Sequence, residues 1–154
     1  MQSDLAPIVL FVYNRPEHTL QTLEALSKNE LASDSLLYIQ CDGPKPDAIE
    51  EMKQRINAVR KIVREKKWCA EVIIKEEENN RGLSRSVIET VNVIAESHGS
   101  IIVLEDDLIT HPKFLRFCNE GINFYRNWPD VYGISGFAFG NGLISTDTCL
   151  LPIG

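Results

Sequence analysis

The chain has 154 residues, 44% apolar and 25% charged, which suits a single globular domain with one core. Its formal net charge of -6 argues against a general nucleic-acid binder, whose footprint is a basic stripe, while leaving room for a local basic site. No apolar run approaches the ~20 residues of a membrane-spanning helix, and MQSDLAPIVL lacks the basic segment and cleavage site of a signal peptide.

Residues 8–13 (IVLFVY) form a short continuous apolar run, the pattern of a strand buried on both faces. Asn14-Arg15-Pro16-Glu17 follows. Asn suits a helix cap, Pro the first turn, and Glu the positive end of the helix dipole. Leu20, Leu23 and Leu26 then predict a short helix that stops near Asn29. Residues 36–41 (LLYIQC) read as a second strand, closed by the turn signal Asp42-Gly43-Pro44. From Asp47 the spacing of Ile49, Met52, Ile56, Val59 and Val63 predicts a long amphipathic helix.

Residues 71–75 (EVIIK) read as a third strand, and Asn79-Asn80-Arg81-Gly82 as a loop. Leu83, Val87, Val91, Ile94 and Ala95 mark the inner face of another helix, closed by His98-Gly99. Residues 101–104 read as a fourth strand, running into Glu105, Asp106 and Asp107. Pro112 is expected to open a helix with Phe114, Phe117, Gly121 and Tyr125 on one side. Residues 131–135 (VYGIS) read as a fifth strand, and 136–142 as a glycine-rich segment without a clear period. The four cysteines, Cys41, Cys69, Cys118 and Cys149, are scattered with no C-x-x-C pair. They predict packed, reduced thiols in a cytoplasmic protein and no zinc site.

Alternating strands and helices predict an α/β domain: three layers, α/β/α, around a mostly parallel sheet. In such sheets ligands bind beyond the carboxyl ends of the strands. Those ends carry Asn14 and Arg15, then Asp42, then Arg81 in its loop, then Glu105, Asp106 and Asp107. Adjacent carboxylates repel by about 4 kcal/mol at ~4 Å and an effective dielectric near 20. Solvent, a basic neighbour or a divalent cation must offset that. A solvated acidic loop and a cation site facing a diphosphate are level readings of the three acids. Arg15 and Arg81 are each open to an ordinary surface role or a role at the ligand. Asp42 is open to an Asx turn or to accepting a base N–H. Arg85 either reaches phosphate or pairs with Glu89 one turn on. His18, His98 and His111 have no Ser or Cys partner by spacing, so a hydrolase triad has no support.

The stretches IVLFVYNRPEHTLQTLEAL, YIQCDGP, NRGLSRSV and IIVLEDDLITHPKFLRF resemble the nucleotide-sugar-binding half of GT-A fold glycosyltransferases. The likeness is to the Golgi N-acetylglucosaminyltransferase type and, more distantly, to family-2 glycosyltransferases. It runs from about residue 7 to about residue 136. The resemblance implies a metal-dependent transferase that moves a sugar from a UDP-sugar donor to an acceptor hydroxyl, with Mn2+ or Mg2+ as cofactor. It implies that Asp107 binds the metal, that Asp106 meets ribose or sugar, and that Glu105 orients the donor. Asp42 would meet the uracil ring and Arg15 would lie beside the nucleotide, with Arg81 and Arg85 near the donor.

Relatives carry an acceptor-binding half after the fifth strand, with the catalytic carboxylate of inverting enzymes in it. No residue of this chain matches that base, Asp147 included. The expectation is therefore a single nucleotide-sugar-binding domain over 1–154, truncated before the acceptor half; the acceptor, a glycan or polysaccharide by analogy, is unknown. A sugar nucleotidyltransferase is the alternative enzyme, although its glycine-rich basic loop after the first strand is replaced here by Asn14-Arg15-Pro16. A receiver-like module would need an acid pair at that same place. A donor-binding fragment without turnover is the other non-enzymatic reading.

Overall fold

The computed structural model describes residues 5–136. The elements, in chain order, are β1 (Ile8–Val12), α1 (Pro16–Ser27), β2 (Leu36–Cys41), α2 (Glu50–Ile62), β3 (Glu71–Glu76), α3 (Leu83–His98), β4 (Ile102–Glu105) and α4 (Phe114–Tyr125). The four strands form one parallel sheet in the order β3-β2-β1-β4. This is a GT-A-like, Rossmann-type α/β domain.

The connections explain the layers. β1 to β2 and β2 to β3 step in one direction, while β3 to β4 steps back past β1. Right-handed crossovers put helices from opposite steps on opposite faces. Leu23 and Leu26 of α1 and Val59 of α2 accordingly share a core with Ile8, Leu10 and Val12, joined by Leu115 of α4. Ile94 of α3 packs on the other face, against Val9 and Phe11. β1 is buried at all five positions because it lies inside both layers. Each fully buried Leu or Ile contributes about 2 kcal/mol by leaving water. The reversal of direction also creates a switch point between β1 and β4, where α/β sheets open a crevice for ligands.

Buried polar side chains fix α4. Asn29 donates to Thr110 Oγ1 (2.9 Å) and accepts from the Leu115 N–H (3.0 Å). Asn119 accepts from the Ala6 N–H (2.9 Å). Cys41, Cys69 and Cys118 are all buried. Burial pushes the Cys41 thiol up to about 12 and the Cys69 thiol to about 11. No helix among the described residues is long and apolar enough to cross a membrane.

Several sequence expectations need correction. Residues 131–135 form no strand. Tyr132 is 96% exposed, and Ile134 lies against Gly121 of α4 instead of pairing with the sheet. The inner face of α4 is Leu115, Cys118 and Asn119, with Phe114, Phe117 and Ile122 partly buried beside it, while Tyr125 faces outward. That helix begins at Phe114, two residues after Pro112. α2 begins at Glu50 and leaves Ile49 exposed. β4 runs through Glu105, so the first of the three acids belongs to the strand. Arg15, not Asn14, holds the capping position of α1, without a side-chain bond. Of the glycine-rich segment 136–142 only Gly136 is described; the rest, with Asp147 and Cys149, lies outside the described residues.

Candidate functional site

A cleft of about 450 Å³ opens at the carboxyl ends of the strands, on the α3 side of the switch point. Its walls bring together five of the residues singled out in the sequence: Asn14, Arg15, Asp42, Glu105 and Asp106. Arg81, Arg85 and Asp107 are not among its lining residues.

At the β1/β4 end the charges meet directly. Arg15 donates to Asp106 Oδ1 at 2.5 Å and to Asp107 Oδ2 at 3.2 Å. One guanidinium thus offsets the repulsion between adjacent acids. The Asp106 side chain is 4% exposed, against 41% for Asp107 and 43% for Arg15. Burial raises the Asp106 carboxyl above the ordinary aspartate range, with Arg15 and a hydrogen bond from the Tyr13 backbone pulling the other way. Desolvation wins because the arginine is half in water while the carboxylate is not. Asp107 keeps carboxylate capacity beyond its arginine bond, the type of donor a hard divalent ion shares with phosphates.

The β2/β3 end is built from neutral hydrogen bonds to one acid. Asp42 accepts from the Gly43 N–H (2.9 Å), the Arg81 N–H (3.0 Å) and the Asn80 amide (2.9 Å). Asn80 also donates to the Gly43 carbonyl at 3.2 Å and accepts from the Gly82 N–H at 3.2 Å. The two loops approach so closely that a Cβ on Gly43 would lie 2.6 Å from the Asn79 backbone. Asp42 therefore staples the loop after β3 to the loop after β2, and the turn-type bond to Gly43 is one part of that. Tyr13 stands beside the same acid; its hydroxyl is pushed up by burial and by the Asp42 charge.

The two downstream arginines are engaged elsewhere. Arg81 bonds Glu77 (3.3 Å) and Glu89, and Arg85 bonds Glu89 at 2.7 Å. Asn14 donates to the Met52 sulfur, and its carbonyl accepts from Arg55 (3.0 Å), so it ties the β1 loop to α2. Among the described residues no group of three or more His, Cys, Asp or Glu is arranged to hold a metal ion. A divalent ion bound here would have to share one carboxylate, such as that of Asp107, with oxygens of a bound ligand.

Sequence reading missed Lys45, Gln40 and Ser86, all of which line the cleft. Gln40 is the polar member of an apolar strand, and Ser86 is three residues beyond Leu83 on the helix. Both are buried. For Gln40, a polar residue within an apolar strand was the available signal; Ser86 offered none before its burial was seen.

No family model and no curated protein matches the chain. Among solved structures the chain is similar to S. aureus TarS, with a TM-score of 0.50 and 12% identity over 79% of this chain. It spans 20% of the length of that chain. The likeness supports a glycosyltransferase-like fold and does not single out the Golgi type.

Proposed function

We propose that this chain is the donor-binding part of a metal-dependent glycosyltransferase that takes a sugar from a UDP-sugar to an acceptor hydroxyl. The observation that carries the reading is the cleft at the switch point, where Arg15, Asp42, Glu105 and Asp106 converge. The solved neighbour is a glycosyltransferase, which supports the general class. In this reading Arg15 turns from Asp107 toward the diphosphate, and Asp107 holds Mn2+ or Mg2+ beside it. The metal, when bound, neutralises charge on the departing nucleoside diphosphate. Lys45 adds a second cation at the rim, Asp106 and Glu105 take sugar or ribose hydroxyls, and Asp42 orders the wall facing the base. Arg81 and Arg85 act at second hand, holding the α3 side of the cleft through Glu77 and Glu89.

Calorimetric titration with UDP and UDP-sugars, with and without Mn2+, tests the proposal. The expected result is metal-dependent UDP binding that Asp107→Ala abolishes. A folded protein that binds no UDP under any metal condition overturns it.

A further inference from the structure

The first half of α3 walls the cleft with little apolar attachment of its own. Ser86 and Ile94 are the buried residues of this helix, while Leu83 and Ile88 are more than half exposed. The core on this face of the sheet is small: Val9, Phe11 and Ile94, with Val87 and Val91 partly buried beside them. Gly82 stands where the helix meets its loop, at φ +79, and a Cβ there would find nothing within 4 Å. The loop before it is fixed, because the Arg81 N–H and the Asn80 amide are both bonded to Asp42. Gly82 is thus a joint between a stapled loop and a lightly packed helix.

What crosses the joint is a chain of charges. The Arg81 guanidinium bonds Glu77 on the sheet side (3.3 Å) and Glu89 on the helix, and Arg85 adds a bond to Glu89 at 2.7 Å. Glu77 is the fixed end of the chain. Its N–H donates to the Cys41 carbonyl (2.9 Å), and its own carbonyl accepts from Arg60 of α2 (2.6 Å). One carboxylate oxygen, Oε1, accepts from Gln40 of β2 (3.1 Å) and from Lys75 of β3 (3.1 Å) as well as from Arg81. The Glu77 side chain is 17% exposed, against 43% for Glu89. A lone exposed ion pair contributes little, but a network whose members hold one another in place contributes more.

We infer that Glu77 is the positioning residue of the α3 wall: through Arg81 it latches the first half of the helix to the sheet, and the latch sets how fast a ligand enters and leaves the cleft. Glu77, Arg81 and Glu89 are not among the residues that line the cleft, so they act on a ligand through the position of the wall. The part in ligand exchange rests on the nucleotide-sugar reading; the latch itself does not.

Backbone hydrogen exchange in the free protein tests the latch. In the wild type, amides from Ser86 to Glu89 should exchange faster on going from low salt to about 0.5 M NaCl, which screens the pairs, while those of β1 stay protected. Glu77→Gln keeps an acceptor for Gln40 and removes the charge. It should speed exchange of the same α3 amides about threefold at low salt, blunt their salt response and leave β1 unchanged. Glu89→Gln should act alike, and the double variant should add little to either single one. With Mn2+ present, UDP should also leave Glu77→Gln about threefold faster in stopped flow. Equal exchange from Ser86 to Glu89 in the wild type and Glu77→Gln overturns the latch. Faster exchange in β1 and α3 together overturns it as well, by making Glu77 a general support of the fold. An unchanged UDP release rate beside a loosened α3 overturns its part in ligand exchange. A wild type that binds no nucleotide removes the glycosyltransferase reading, and the exchange rates still decide the latch.

Discussion

At the ends of β2 and β3, Asp42 is held by three hydrogen bonds from Gly43, Asn80 and Arg81. At the ends of β1 and β4, Asp106 and Asp107 share one half-exposed arginine. Both ends place an acid just beyond a strand, yet only the first is satisfied largely by neutral groups of its own loops. The second depends on a side chain with long reach and free water on one side. A ligand bearing negative charge can compete for that arginine, while it has no comparable way to replace the Asp42 bonds. An acid at a strand end can thus be a staple or an exchangeable charge, and its neighbours decide which.

The strongest way to break the staple is Gly43→Ala. The added methyl meets backbone atoms of Asn79 and the Glu77 carbonyl, none of which can rotate away. The loops must part, and the Asn80 bonds to Asp42 and Gly43 are lost with them. A loss of about 3 kcal/mol is expected in urea denaturation. An unchanged midpoint would mean that the close approach of the two loops is not what holds this wall.

Arg15→Ala tests the charged end, and its effect should depend on pH. The folded-state pKa of Asp106 is already raised, so the folded protein holds that proton more tightly than the unfolded chain does. Ionised Asp106 therefore weakens the fold as pH rises above the unfolded value. Removing Arg15 raises the folded pKa further. The added loss should be complete at neutral pH and absent below the unfolded aspartate pKa of about 3.9. A buried charge stripped of its partner can cost about 3–5 kcal/mol. Arg15 is 43% exposed, so solvent screening reduces the expectation to about 1 kcal/mol at pH 7. A loss of equal size at pH 3.5 and pH 7 would show that Arg15 acts through packing instead.

The same contrast explains what could be read in the sequence. β1, β2 and β3 were legible because IVLFV, LLYIQ and EVIIK leave little choice but a strand. The carboxyl-edge placement of Asn14, Arg15, Asp42, Glu105 and Asp106 followed from that alternation. What spacing could not supply was pairing: that Arg15 spans both aspartates, or that Asp42 binds across 39 residues to the Arg81 backbone. The inner face of α4 was read only in part: Phe114 and Phe117 do pack against the core, but Leu115 and Cys118 fill it and Tyr125 faces outward. VYGIS alternates like a strand, but Ile134 finds its apolar contact on a helix. Ser86 was passed over because a serine within a helix signals nothing until its burial is seen.

The smallest expected change in stability separates the two aspartates of the charged end. Asp107 is 41% exposed and its bond to Arg15 is the longer of the two, at 3.2 Å against 2.5 Å. Water can replace that partner, so Asp107→Ala should shift stability by less than about 0.5 kcal/mol. Arg15 keeps Asp106, and loss of the neighbouring negative charge relieves the buried carboxylate slightly. The variant should thus unfold at nearly the wild-type urea midpoint at pH 7. A drop as large as that of Arg15→Ala would make the three residues one structural network, with no exchangeable member. An unchanged midpoint, combined with lost Mn2+-dependent UDP binding, would put the cost of Asp107 on the ligand and not on the fold.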